Sequence, residues 1–288
     1  MANLKVTPGR IPLPIRNSPA KIQLNQISHS QIIYYRGYSK DKYIYVASKS
    51  HDSSHHFKGV TFVAQTEEDF FRASKLAATT TLVEDYTGPG GSRIMTVKLP
   101  SGAKGVEERP VPSKAETQTE VYKGEYNTAL QKSRKGELGP AMIYKLGHVG
   151  YVTSLFNKDI VFYMQTFNFV PSNILYKEDA ATGAQTDTLI FIYLDHGKDY
   201  VNHYTVFLLR ALPDFNEKQK LYHCLFKVED FDTQLLGHKY LLIKNRFAIK
   251  YYTDGDLVNE DNKTGREKSQ GAASMYIWGP VRPEAGVA

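Results

Sequence analysis

The chain has 288 residues, 41% of them hydrophobic and 23% charged, with a formal net charge of +6. A chain of this length buries a substantial core and favours about two compact units, and no apolar run approaches the roughly 18 residues of a membrane helix. Its single cysteine, Cys224, excludes an internal disulfide and any multi-cysteine zinc or iron–sulfur site.

The positive charge is not arranged for nucleic acid. From Lys98 to Lys145 basic and acidic residues alternate, and no Lys/Arg block is interleaved with aromatics. Neither a nucleic-acid partner nor a membrane is expected. The opening MANLKVTPGRIPLPIRN has basic residues but no apolar stretch before a small-residue cleavage site, so no signal peptide is expected and the cytoplasm is the expected compartment.

Residues 1–20 are expected to form an N-terminal arm. Residues 21–108 carry strand-like runs rich in tyrosine, Ile32–Tyr38 and Tyr43–Val46 among them, then Phe57 and KGVTFVAQ leading into a helix. Thr66, with Asp69 three residues on, predicts a capped helix start, and Phe70, Ala73 and Leu76 or Ala77 form its apolar stripe. Between Ile27-Ser-His29 and the strand at Tyr34 there is no room for a helix. Residues 109–141, rich in Lys, Glu, Thr and Pro, read as a linker.

Residues 142–256 repeat the strand-then-helix pattern twice. The first copy is Leu146-Gly-His148-Val-Gly-Tyr-Val-Thr, with Ser154 as expected N-cap and Phe156, Ile160, Tyr163 or Met164, and Phe167 at helical spacing. The second is Leu221-Tyr-His223-Cys-Leu-Phe-Lys-Val, with Asp230 as expected cap of a helix running toward Leu242. Strand-like runs at Thr188–Leu194 and Tyr204–Leu209 lie between them. Strand, helix, then strands is a βαβββ unit, so the fold class expected is α+β with tandem units, the N-terminal pair more degraded. Residues 257–288 read as a polar tail, with Met275-Tyr-Ile-Trp278 able to dock back.

His148 and His223 hold the same place in two copies of one pattern. If two units pair about a pseudo-two-fold axis, both imidazoles face one concave sheet, as metal ligands do; hydrogen-bonded histidines at strand starts are the plainer alternative. Cys224 follows His223 in a strand, so alternation sends it to the opposite face, into packing. His51, His55 and His56 sit in a Ser/Asp-rich loop and read as a solvated turn. Gly88-Pro-Gly-Gly91 reads as a turn and not a phosphate cradle, because no helix follows it. Asp254-Gly-Asp256 lacks the twelve-residue calcium-loop pattern.

The ordered blocks KLGHVGYVTS, FYMQTFNFVPSNILY, LDHGKDYVNHYTVFLLRA, LYHCLFKVEDFDTQLLGH and IKYYTDGDLVNED resemble the catalytic half of fungal two-module proteins of the vicinal oxygen chelate superfamily, which includes glyoxalases, bleomycin-resistance proteins and extradiol dioxygenases. IQLNQISH, YYRGY, YIYVASKS, FKGVTFV and GPGGSRIMTVKLPSG resemble their first half. The resemblance implies tandem βαβββ units and extradiol ring cleavage of an aromatic diol with dioxygen, in aromatic compound catabolism. It implies Fe(II) or Mn(II) held by two His and one carboxylate, with the histidines falling on His148 and His223, and an acid–base residue matching His203 or the adjacent Tyr204. A facial site of this kind leaves positions open for both reactants.

Two departures stand out. Where the family has its carboxylate, in the string Ile249-Lys250-Tyr251-Tyr252, this chain has Lys250, whose ammonium repels a divalent cation. From His223 to Lys250 is 27 residues (250 − 223), whereas a strand, a helix and three strands need roughly 45, so about one hairpin is missing. Three readings follow: an extradiol dioxygenase with a replacement ligand; a non-catalytic relative kept for ligand binding or dimerisation; or an intact dioxygenase whose gene has been assembled without short exons. Sheet edges left by the missing hairpin would favour a homo-oligomer.

Overall fold

The computed structural model describes residues 6–13, 25–29, 32–50, 57–108, 143–228 and 248–269, apart from positions 38, 40, 42, 77, 79, 80, 87, 90, 103, 253 and 254. In the first half β1 (Val6–Leu13), β2 (Asn25–His29), β3 (Ile32–Arg36), β4 (Tyr45–Ser48), β5 (Thr61–Ala64), β6 (Glu84–Tyr86), β7 (Ser92–Lys98) and β8 (Lys104–Glu108) form one sheet, ordered β2-β3-β4-β1-β5-β8-β7-β6. The second half contributes β9 (Ile143–Thr153), β10 (Phe169–Glu178), β11 (Gln185–Leu194), β12 (Val201–Asn202), β13 (Val206–Arg210), β14 (Gln219–Val228), β15 (Ala248–Tyr252), β16 (Leu257–Val258) and β17 (Gly265–Lys268). Seven of these form a sheet ordered β15-β14-β9-β13-β11-β10-β17, while β12 and β16 pair as a small ribbon.

One unit recurs through both sheets. β5, α1 (Glu67–Ser74), β6, β7 and β8 run strand, helix, three strands, and the last strand returns parallel to the first, with Phe62 opposite Val106. β9, α2 (Phe156–Thr166), β10, β11 and β13 repeat this, with Phe207 opposite Gly150. β1 to β4 keep the same strand order, with Ile11 opposite Tyr45. Units join antiparallel at each sheet's centre, β1 to β5 and β9 to β14. The last unit is short: 52 residues lie between β9 and β13 (154–205), but only 19 between β14 and β15 (229–247). The difference of 33 residues (52 − 19) exceeds the 26 of the β10–β11 hairpin (169–194) in the preceding unit.

The first half keeps all eight strand positions despite its expected degradation, because it begins earlier than expected. Residues 6–13, expected within an arm, form β1 between β4 and β5. The strand is hidden in the sequence by Pro8 and Pro12; its register against β5 shifts between Thr7 and Arg10, a bulge of the kind that tolerates proline in a sheet. The segment Asn25–His29 is therefore the second strand of its unit, hairpin-paired with β3, and not the first. In the expected tail, residues 265–268 form β17, parallel to β10. The linker at 109–141, the helix expected after Asp230 and the Trp278 segment lie outside the described residues.

Both described helices bury the stripes expected of them. At α1 the Thr66 hydroxyl accepts from the Asp69 N–H (3.0 Å) and donates to its carboxylate (2.8 Å), with Phe70 and Ala73 fully buried. At α2, Phe156, Tyr163 and Phe167 are buried, but Ser154 is not the cap. The N-cap position is Leu155, with no side-chain cap; just ahead of it the hydroxyl of the fully buried Thr153 accepts from the Leu155 N–H (3.0 Å) and donates to Asp159 (2.8 Å), while the Ser154 hydroxyl turns to the Lys218 carbonyl (3.3 Å).

A continuous core spans both halves, with Phe62 against Phe167 and Phe169 (ring centroids 5.6 and 5.4 Å) and Tyr45 against Phe226 (6.3 Å). Asp159 on α2 also accepts from the Ser101 N–H of the first half (3.0 Å). Among the described residues no helix is long and apolar enough to cross a membrane.

Candidate metal and aromatic-ligand site

Alternation along the two central strands of the second sheet builds the site. On β14, Leu221, Cys224, Phe226 and Val228 enter the core; on β9, Ile143, Leu146, Val149 and Tyr151 do. The residues between them face the other way. Register sets His148 opposite Leu225, and His223 opposite Gly150, with shifts between Leu221 and His223 and between Leu225 and Phe226. The two imidazoles meet with Nε2 atoms 3.0 Å apart, only 6% and 5% exposed. The two histidines at equivalent places in the repeat thus lie side by side. Cys224 is buried on the opposite face, as expected, and burial pushes its thiol well above the ordinary range.

That spacing can be set against the distances that two ligands of one metal would show. Two nitrogens each about 2.1 Å from a metal are about 3.0 Å apart at a right angle, and about 3.4 Å apart at the tetrahedral angle. The observed 3.0 Å is compatible with the right-angle case, and it is also an ordinary hydrogen-bond distance, with one Nε2 donating to the other. The donor set for the third corner is another matter. Among the described residues no group of three or more His, Cys, Asp or Glu is placed to hold a metal ion. Position 250, where the resemblance expects a carboxylate, is set by backbone register opposite Leu225, in one row with His148. It carries lysine. The site thus furnishes two nitrogens that fit a divalent ion and, among the described residues, no carboxylate to complete them.

Aromatic rings enclose the pair. Tyr204 lies 4.2 Å from the His148 ring, Phe207 4.9 Å from His223 and 5.8 Å from His148, and Tyr222 5.3 Å from His223. Tyr252 stands 6.3 Å from His148; burial pushes its hydroxyl up to about 12, so it stays protonated and neutral. Leu175 and Leu189 are buried against Phe207, with Phe191 and Leu209 packed alongside. Two glycines make the enclosure possible: a Cβ at Gly150 would overlap the Phe207 ring, and one at Gly147 the Tyr252 ring. In sequence Phe207 falls within the strand-like run Tyr204–Leu209, and register places it beside the histidines.

His203 sits at the margin, just after β12. Its backbone N–H donates to the Asp256 carbonyl (2.9 Å), and its ring stacks on Phe191 at 6.2 Å, beside Tyr204 at 5.5 Å. Burial lowers its basicity, partly opposed by the Asp256 carboxylate. The β12–β16 ribbon anchors this loop, reinforced by the Tyr193 hydroxyl donating to Asn259 O (3.1 Å). Tyr204 is the ring in contact with His148. Of the other constellations, Gly88–Gly91 closes as a turn, Gly91 N–H to Gly88 O at 3.3 Å with Gly91 at φ +48°; His51, His55, His56 and Asp254 lie outside the described residues.

No family model and no curated protein matches the sequence. Solved structures do. The substrate complex of homoprotocatechuate 2,3-dioxygenase from Brevibacterium fuscum aligns at TM-score 0.71 and 14% identity over 98% of this chain and 91% of that one. The Mn(II)-bound glyoxalase from Novosphingobium aromaticivorans aligns at 0.67 and 12% over 96% and 91%. The 2,3-dioxygenase LapB from Pseudomonas sp. KL28 aligns at 0.65 and 12% over 91% and 96%. The chain shares their fold. That fold is α+β, as expected from the sequence.

Proposed function

We propose that the concave face of the second sheet binds a small aromatic vicinal diol beside a divalent metal, Fe(II) or Mn(II), held by His148 and His223, and that the chemistry is extradiol ring cleavage with dioxygen. The observation that carries this is the 3.0 Å approach of two buried, repeat-equivalent Nε2 atoms, inside a fold that known dioxygenases share. When bound, such a metal draws the diol and dioxygen together and moves electron density between them. The protein's own part follows from its side chains. His148 and His223 offer ring nitrogens as ligands, while Tyr204, Phe207 and Phe191 exclude water and pack a planar ring. His203, its basicity lowered by burial, is neutral near pH 7 and takes a proton from a diol hydroxyl. The proposed organisation makes the half from β1 to β8 non-catalytic and the half from β9 to β17 site-bearing, extending the expected 21–108 and 142–256 by the strands at 6–13 and 265–268.

A second reading rests on Lys250. With lysine in the ligand row and no carboxylate completing the set among the described residues, this face of the sheet would bind aromatics without turning them over. The test is anaerobic reconstitution of untagged protein with Fe(II), then oxygen uptake with catechol and 3,4-dihydroxyphenylacetate. Iron near one per chain with ring-cleavage product supports catalysis. Aromatic binding without uptake supports the second reading, and neither binding nor iron overturns both.

A further inference from the structure

Strands β9, β14 and β15 carry Lys145, Lys220, Lys227 and Lys250, and not one Asp or Glu. All but Lys220 fall at one end of the concave face. Antiparallel register sets Lys145 directly opposite Lys227, in the row next to the one that holds His148 and Leu225. Alternation turns this row to the same face as the histidines, because the pairs on either side of it, Ile143 with Val228 and Leu146 with Phe226, enter the core. Both lysines are half-buried. Parallel register sets Tyr252 opposite Lys227 and Lys250 opposite Leu225. The Tyr252 ring, 6.3 Å from His148, marks the same end of the face.

Like charges directly opposite one another on adjacent strands, with Cβ atoms about 5 Å apart, cost stability. An anion lying between two ammonium groups turns that repulsion into attraction. The other end of the face is apolar: Leu175, Leu189, Leu209 and Val152 form one register row across β10, β11, β13 and β9, and only the exposed Lys220 at its far side is charged. A ring packed against the histidines by Phe207 and Phe191 therefore has leucines on one side and, one row of about 7 Å along the strands on the other, a pair of lysines. We infer that Lys145 and Lys227 form an anion subsite beside the histidine pair, and that the diol taken by the site carries a carboxylate on its ring substituent. The ligand in this inference rests on the aromatic-diol reading above; the subsite rests on strand register and charge. The Tyr252 hydroxyl supplies a neutral donor in the same row. A lysine at position 250, placed by backbone register one row closer to the histidines, adds to the positive charge of this end.

The experiment is isothermal titration of the full chain, under argon with Mn(II) present throughout, with 3,4-dihydroxyphenylacetate, the uncharged 4-methylcatechol and phenylacetate; circular dichroism confirms that each variant is folded. The parent chain should bind 3,4-dihydroxyphenylacetate roughly tenfold more tightly than 4-methylcatechol, as one hydrogen bond to a charged group supplies, and added salt should shrink the preference. Lys145→Met and Lys227→Met should each remove most of the preference and leave 4-methylcatechol binding unchanged, while Lys227→Arg should keep it. Lys220→Met, on the same strand and face but beyond His223, should leave it intact. Equal affinity of the parent chain for the acid and for 4-methylcatechol, or a preference that survives in both methionine variants, would overturn the anion subsite and leave the diol reading standing. Phenylacetate binding that is lost in Lys227→Met, with neither diol bound more tightly than phenylacetate, would sustain the subsite and overturn the diol reading. Binding of none of the three probes overturns both.

Discussion

Asp159 offers a quantitative test of how the two halves are joined. Its carboxylate is fully buried and accepts from the Ser101 N–H at 3.0 Å and the Thr153 hydroxyl at 2.8 Å; both donor residues are themselves almost wholly buried. Asp159→Ala strands both donors. An orphaned buried donor costs about 1–3 kcal/mol, and the Thr153 hydroxyl can rotate toward another acceptor, so a net loss of about 2–4 kcal/mol is expected. Burial raises this carboxyl above its usual range against the pull of its hydrogen bonds, and it stands near the paired hydroxyls of Tyr151 and Tyr163. The folded state therefore holds the proton more tightly than the unfolded one. The resulting stabilisation is full below the unfolded value of about 3.9 and is lost as pH rises through the raised folded value. Urea unfolding followed by circular dichroism at several pH values measures both effects, with Asp159→Asn removing the pH slope. A loss below 1 kcal/mol in Asp159→Ala, or an unchanged slope in Asp159→Asn, would refute the role.

Three further outcomes are expected. Thr66→Ala should cost about 1 kcal/mol through loss of the bond to the Asp69 N–H, measured by the same unfolding. Cys224, buried with its thiol pushed up, should not react with Ellman's reagent in the native protein and should give one equivalent after denaturation; fast native labelling would contradict its packing. His203 should titrate below its ordinary 6.5 in proton NMR, and stability should fall as acid protonates it, from about pH 6.5 down through its lowered folded value. A midpoint at or above 6.5 would show it to be solvated.

Local chemistry was legible where it depends on near neighbours. The Thr66–Asp69 cap, the Phe70/Ala73 stripe and the opposite facing of His223 and Cys224 all follow from spacing, and all stand in the structure. The convergence of His148 and His223 was legible because a repeat carries long-range information in one sequence. What failed involved choices made at a distance. Ser154 looked like a cap, but Thr153 had Asp159 within reach; β1 was concealed by two prolines that a bulge accommodates. The aromatic enclosure is not legible because Phe191 and Phe207 fall in the runs Thr188–Leu194 and Tyr204–Leu209, and only strand register decides which face they share with the histidines.

The central claim is that His148 and His223 form a metal-binding pair, and divalent metal affinity of the untagged chain tests it most directly. Isothermal titration with Mn(II) should give one site per chain that is abolished in His148→Ala and in His223→Ala, each variant remaining folded, and weakened as pH falls and the imidazoles are protonated. Equal Mn(II) binding in the parent chain and in both variants, or none in any of them, would contradict it.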